Sequence, residues 1–189
     1  MTKNKQTIAT NPNFKVKYEA ILPELKKNFG FSNNMEAPII EKIVVNVGIG
    51  STPSNEVVES IKEDLKKITG QSPVFTVAKK AISGLKVREG QKVGIKVTLR
   101  GKRMWEFLER MIVSALPRVK DFQGVSLSSF DTSGSCSVGF KEHIVFPEIN
   151  ADEVKNIFGL QVCIVIKRGN KESGKALLVG MGFPISKDK

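Results

Sequence analysis

The sequence predicts an α+β domain: a single, mostly antiparallel sheet with helices packed on one face. Three observations support this. Segments of period two are interleaved with segments of period 3.6, so strands and helices are mixed along the chain. Several connections are too short for the crossovers that parallel strands require. Apolar residues make up 40% of the 189, enough to bury a core without disulfide or metal staples.

The elements follow in order. Residues 1–12 are polar, show no secretory signal and are expected to be a flexible extension, with one domain over 13–189. Phe14, Tyr18, Ile21, Leu22, Leu25 and Phe29 have helical spacing, with Gly30 as the stop and Pro23 as a point of kinking. From Glu41 to Ile49 the pattern alternates. Ile43, Val45, Val47 and Ile49 face one way, and Lys42, Val44, Asn46 and Gly48 the other. Pro53 and Ser54 open a helix carrying Val57, Val58, Ile61, Leu65 and Ile68, which ends at Gly70. A short strand over 74–77, a long basic loop over 78–90 and a strong strand over 92–100 come next.

Met104, Phe107, Leu108, Met111, Ile112 and Ala115 form one face of a helix, with Pro117 just beyond its end. Gly- and Ser-rich segments over 124–139 predict loops around a weak strand. Asn150 is expected to cap a short helix reaching Phe158. A strand over 160–167 and an amphipathic helix over 173–181 complete the chain.

Charge points to a partner. The chain carries a net charge of +11, and the stretch Ala78–Arg103 holds nine basic residues against one acid, Glu89. Such concentration fits a polyanion lying along one side of the molecule, with phosphate neutralisation supplying affinity. On the strand over 92–100, Val93, Ile95, Val97 and Leu99 point to the core. Lys92, Lys96, Thr98 and Arg100 then share the opposite face, about 7 Å apart along the strand. Asn46 occupies the corresponding face of the first strand and can hydrogen-bond sugar or phosphate. The thirteen-residue loop 78–90 bears Lys79, Lys80, Lys86 and Arg88, shows little secondary-structure pattern, and suits a finger reaching a second nucleic-acid surface.

Other chemistry is poorly supplied. Cys136 and Cys163 lack CxxC spacing and read as free thiols, and a lone His143 leaves too few ligands for zinc. The turn in VNVGIGS lacks the third glycine of a dinucleotide fingerprint and the GK[ST] of a P-loop, so tight turning is its expected role. Asp131, Ser133, Ser135, Glu142 and His143 lie near one another in sequence, but no nucleophile elbow accompanies them. The aromatics fall at core-like spacing and make no RNP-type stacking platform. The longest apolar runs are strand-length, so no membrane span is expected. Two rivals stay open on residues alone. One is a nucleotide-dependent enzyme using the VGIG turn; the other is an RNA chaperone or DNA-binding protein using the same basic face.

The run IIEKIVVNVGIG, then ITGQSPVFTVAKKAISGLKVREGQKVGIKVTLRGKRMWEFLERMI, then LPRVKDFQGVS and FKEHIVFPEI, resembles the family of the bacterial large-subunit ribosomal protein number five. The likeness extends from about Asn13 to Pro184, and its motifs are long and specific. It implies an α+β fold with one open sheet face, and a protein that binds 5S rRNA in the central protuberance rather than a catalyst; the absence of a signal or apolar span reads as cytoplasmic, and no cofactor or metal is expected. It places rRNA-contacting positions at Asn46, Gln71 and Thr98, and directs the basic loop, with Lys79, Lys80, Lys86 and Arg88, toward the elbow of the P-site tRNA. Contacts with 23S rRNA and with small-subunit protein thirteen across the subunit bridge are implied as well.

Overall fold

A computed structural model describes residues 14–50, 54–154 and 156–186. The extension expected over residues 1–12 and the helix-opening role given to Pro53 lie outside the described residues. Five strands form one sheet in the order β2-β3-β1-β5-β4. They are β1 (Ile39–Gly48), β2 (Val74–Val77), β3 (Lys92–Leu99), β4 (Cys136–Phe140) and β5 (Leu160–Lys167). Every neighbouring pair is antiparallel.

Alternation decides which face is covered. Ile43, Val45 and Val47 of β1, Ile95, Val97 and Leu99 of β3, and Val162, Ile164 and Ile166 of β5 are all buried. Their alternates, such as Asn46, Lys96 and Gln161, are exposed. The buried set joins the apolar faces of α1 (Phe14–Phe29), α2 (Asn55–Thr69), α3 (Gly101–Arg110) and α5 (Lys171–Gly180) in one core. Helices therefore cover one face and leave the other open.

Local chemistry sets the helix ends. Ser54 is extended and its Oγ accepts from Val57 N–H at 3.4 Å, capping α2. Gly70 closes that helix in the left-handed conformation, φ 67°, which costs glycine little. α5 packs so closely on the turn before β4 that a Cβ on Gly174 would meet Gly134 backbone at 2.6 Å. Its start lies two residues before the expected Ser173, because Asn170 and Ser173 form a capping box.

Three expectations are corrected. Pro117 does not lie beyond its helix. After α3 the chain runs through a widened π turn, Met111–Ala115, into a final α turn, α4 (Leu116–Arg118), which contains the proline. The widened turn relieves the clash a proline ring makes with the carbonyl four residues back. Among the described residues Asn150 caps no helix to Phe158, and a 3-10 turn, Ala151–Glu153, forms instead. Tertiary bonds prevail there: the Phe158 carbonyl accepts from His143 N–H, its own N–H donates to the imidazole, and its ring stacks on that imidazole at 3.9 Å. The loop 78–90 is also more regular than its sequence suggests, being a short hairpin extension of β2 and β3 described below.

Candidate nucleic-acid interface

Register arranges the open face in rows that cross the strands. Asn46 pairs with Lys96 on β3 and with Gln161 on β5; beyond them Lys96 pairs with Val74 and Gln161 with Gly139. Directly paired residues point to the same side, so Val74, Lys96, Asn46, Gln161 and Gly139 form one row. The next row is Thr98, Val44, Cys163 and Ser137. Lys96, Asn46 and Gln161 are exposed, while Thr98 is half-buried. Sequence alone does not single out Gln161 as part of this row. Its alternation between buried Leu160 and Val162 is visible in sequence, but its position beside Asn46 depends on pairing between strands more than a hundred residues apart.

Gln71 reaches the edge of β3 from the end of α2. Its Nε2 donates to the Thr98 carbonyl at 3.2 Å. Thr69 Oγ1 donates to Leu65 O at 2.7 Å and accepts from Gln71 N–H, so the helix end fixes where the amide lies. Arg110 braces the same end, donating from Nη2 to Ile68 O at 3.1 Å, with Nε 2.7 Å from the Glu148 carboxylate. Arg100 lies 3.4 Å from Glu41, an exposed pair worth little to stability.

Lys92 leaves the shared face expected for it. The register slips between Thr76 and Val77, and Lys92 pairs with Val77. Its ammonium stands 4.3 Å above the ring of Phe75, which pairs with core residue Ile95 and also has Lys62 of α2 over it. The bulge turns this lysine toward the helix-bearing side. Lys96, Thr98 and Arg100 keep strand alternation.

The basic hairpin is closed by backbone bonds between Ala78 and Gln91, Gly90 and Ala78, and in both directions between Ile82 and Val87. A 3-10 turn, Ser83–Leu85, forms the tip, and Lys86 follows it in the left-handed region at φ 53°. Lys79, Lys80, Lys86 and Arg88 are all exposed, and so are Ile82 and Leu85 at the tip.

No catalytic set assembles from the residues near His143. Its side chain is fully buried; Nδ1 accepts from Phe158 N–H at 3.4 Å, and Nε2 lies 3.8 Å from Asp64 Oδ2. Burial pushes the imidazole below its ordinary pKa, against the opposing pull of the Asp64 carboxylate. Asp131 is occupied in its own turn by Ser133 Oγ and Ser135 N–H. Cys136 is buried and its thiol is pushed up to about 12, chiefly by burial, whereas Cys163 is half-buried on the open face with Ser137 Oγ 3.4 Å away. In VNVGIG, Gly50 turns the chain with φ 81°. Among the described residues no three His, Cys, Asp or Glu side chains gather as a metal site, and no helix is long and apolar enough to cross a membrane. A groove of about 820 Å³ runs beside edge strand β4. A flat face can hold an RNA helix without a pocket.

A sheet covered on one side, lined on the other with polar and cationic side chains, and extended by a basic hairpin defines a nucleic-acid-binding structural protein. Residues 33–88 match the family Ribosomal protein L5, and residues 92–185 match the C-terminus of the same ribosomal protein family. The chain is 48% identical over 170 residues to the large ribosomal subunit protein uL5 of Shewanella piezotolerans, covering 89% of this chain and 95% of that protein. It is 49% identical over 167 residues to the protein of the same name from Microcystis aeruginosa, covering 88% and 93%. The chain belongs to the ribosomal protein L5 family. It is a structural constituent of the large ribosomal subunit, cytoplasmic as bacterial ribosomes are, and not an enzyme.

Proposed function

We propose that the open sheet face binds 5S rRNA and helps attach it to 23S rRNA in the central protuberance. The observation that carries this reading is the row in which Lys96 and Asn46 stand exposed side by side on the uncovered face. Asn46, Gln71 and Thr98 are the rRNA-contacting positions suggested by family resemblance; Asn46 and Thr98 lie on the β1–β3 part of that face, and Gln71 is hydrogen-bonded to the Thr98 backbone carbonyl at the edge of β3. Lys96 and Arg100 add phosphate attraction there. An A-form helix offers phosphates and 2′-hydroxyls across a wide, shallow minor groove, which suits Asn, Gln and Thr beside Lys and Arg.

The hairpin over 78–90 is proposed to contact P-site tRNA through Lys79, Lys80, Lys86 and Arg88, and small-subunit protein thirteen is proposed as a further partner across the subunit bridge. The domain over 13–189 is proposed to act as one rRNA-binding unit. A gel-shift titration with 5S rRNA, against an unrelated hairpin of similar size at two salt concentrations, tests the central reading. Tight binding to 5S that survives the higher salt supports it. Equal, salt-erased binding to both RNAs leaves only generic phosphate attraction and overturns it.

A further inference from the structure

The cross-strand row contains a side chain to which no role has been given. Neighbouring strands are about 4.8 Å apart, so Lys96, Asn46 and Gln161 stand as consecutive neighbours across β3, β1 and β5. All three are exposed, and among the described residues none has a side-chain hydrogen bond or ion pair. Several other polar groups around the face are engaged: Arg100 with Glu41, Gln71 with Thr98 O, Ser137 with Cys163, and Ser135 with the Ile166 backbone. Beyond Gln161 the row falls to Gly139, where nothing lies within 4 Å of the place a Cβ would occupy. The same holds at Gly48, which pairs with Gly94 one row from Asn46. The two amides therefore project from low ground on which a nucleic-acid strand can settle.

We infer that Gln161 is a further RNA-contacting residue, paired with Asn46 as a double-amide reader of the sugar edge of an RNA helix. The inference rests on the proposed binding of 5S rRNA by this face. A carboxamide carries donors and an acceptor. A 2′-hydroxyl is both donor and acceptor, and minor-groove base edges offer both kinds of group. Two adjacent neutral amides can thus engage successive sugars or base edges, while Lys96 in the same row meets phosphate. This division of labour separates the two contacts in salt dependence, because only the lysine contact releases counterions.

The test is a titration of 5S rRNA, and of an unrelated hairpin, with the full-length protein and its Gln161→Ala and Lys96→Ala variants at several salt concentrations. Gln161→Ala is expected to weaken 5S binding about five- to tenfold, the worth of one neutral hydrogen bond, with an unchanged salt slope and thermal midpoint. Lys96→Ala is expected to flatten the slope. A Gln161→Ala variant that binds 5S like the parent overturns this inference alone, and so does one whose loss is accompanied by a flatter slope. A parent protein without preference for 5S over the hairpin overturns the proposed function and this inference with it.

Discussion

The two faces of this sheet are written into the same strands with opposite consequences. Val45 and Val97 are a directly paired couple on the covered face, both buried; one residue along, Asn46 and Lys96 are the corresponding couple on the open face, both exposed. The covered couple is held by apolar burial and close packing. The open couple contributes little to holding the fold, since neither side chain has a protein partner among the described residues. A strand that must both fold and bind can therefore divide the work by parity, and substitutions on alternate residues should fail in different assays.

The largest effect is expected on the covered side. Leu99, fully buried on β3, when changed to Ala should lose about 2–5 kcal/mol of stability in chemical denaturation. The folded fraction should keep its affinity for 5S rRNA; an affinity loss at unchanged stability would break the division between faces. His143 gives the next effect and also concerns only folding. Its folded pKa is depressed, so between that value and the unfolded value of about 6.5 the unfolded chain binds more protons. The stability from a neutral buried imidazole is complete above that upper value. It should fall as pH drops below it, by at most about 1.4 kcal/mol per pH unit for this one group. Denaturation midpoints across that window should show the slope, and His143→Phe should flatten it.

On the open side the effects are smaller and of another kind. Lys96→Ala should reduce the salt slope of 5S binding by about one unit, the mark of one lost phosphate contact, while melting stays unchanged. Thr98→Val should weaken RNA binding modestly with little change in stability. A drop in melting temperature without loss of affinity would instead make Thr98 a structural residue, in keeping with its half-buried position.

Parity also explains what could be read from sequence. The alternation in β1 and β3 was enough to put Asn46, Lys96, Thr98 and Arg100 on the side away from the core, because a half-buried strand imposes period two on its own residues. Lys92 escaped that rule because a register slip against β2 is a property of two strands, and one strand's sequence does not record it. Gln161 was missed for a related reason: its place beside Asn46 is revealed only by sheet order. The lost helix before Phe158 follows the same logic, since packing against His143 decided it where local propensity pointed elsewhere, whereas the π turn answers to Pro117 within its own helix. The basic hairpin was legible as charge but not as structure, its ordering coming from backbone bonds between its two arms such as Ile82 with Val87.

The claim that RNA lies across the open face can be tested on the unaltered protein through its two cysteines. Cys163 stands half-buried on that face in the row next to Asn46, whereas Cys136 is buried, with its thiol pushed up to about 12. An alkylating reagent should therefore modify Cys163 and spare Cys136, because the thiolate is the reactive form. The measurement is the alkylation rate of Cys163, followed by peptide mass, with and without saturating 5S rRNA. Strong protection of Cys163 by 5S rRNA, absent with the unrelated hairpin, is the predicted result. An equal rate in the 5S complex and the free protein would mean that the RNA binds elsewhere, and would contradict the account.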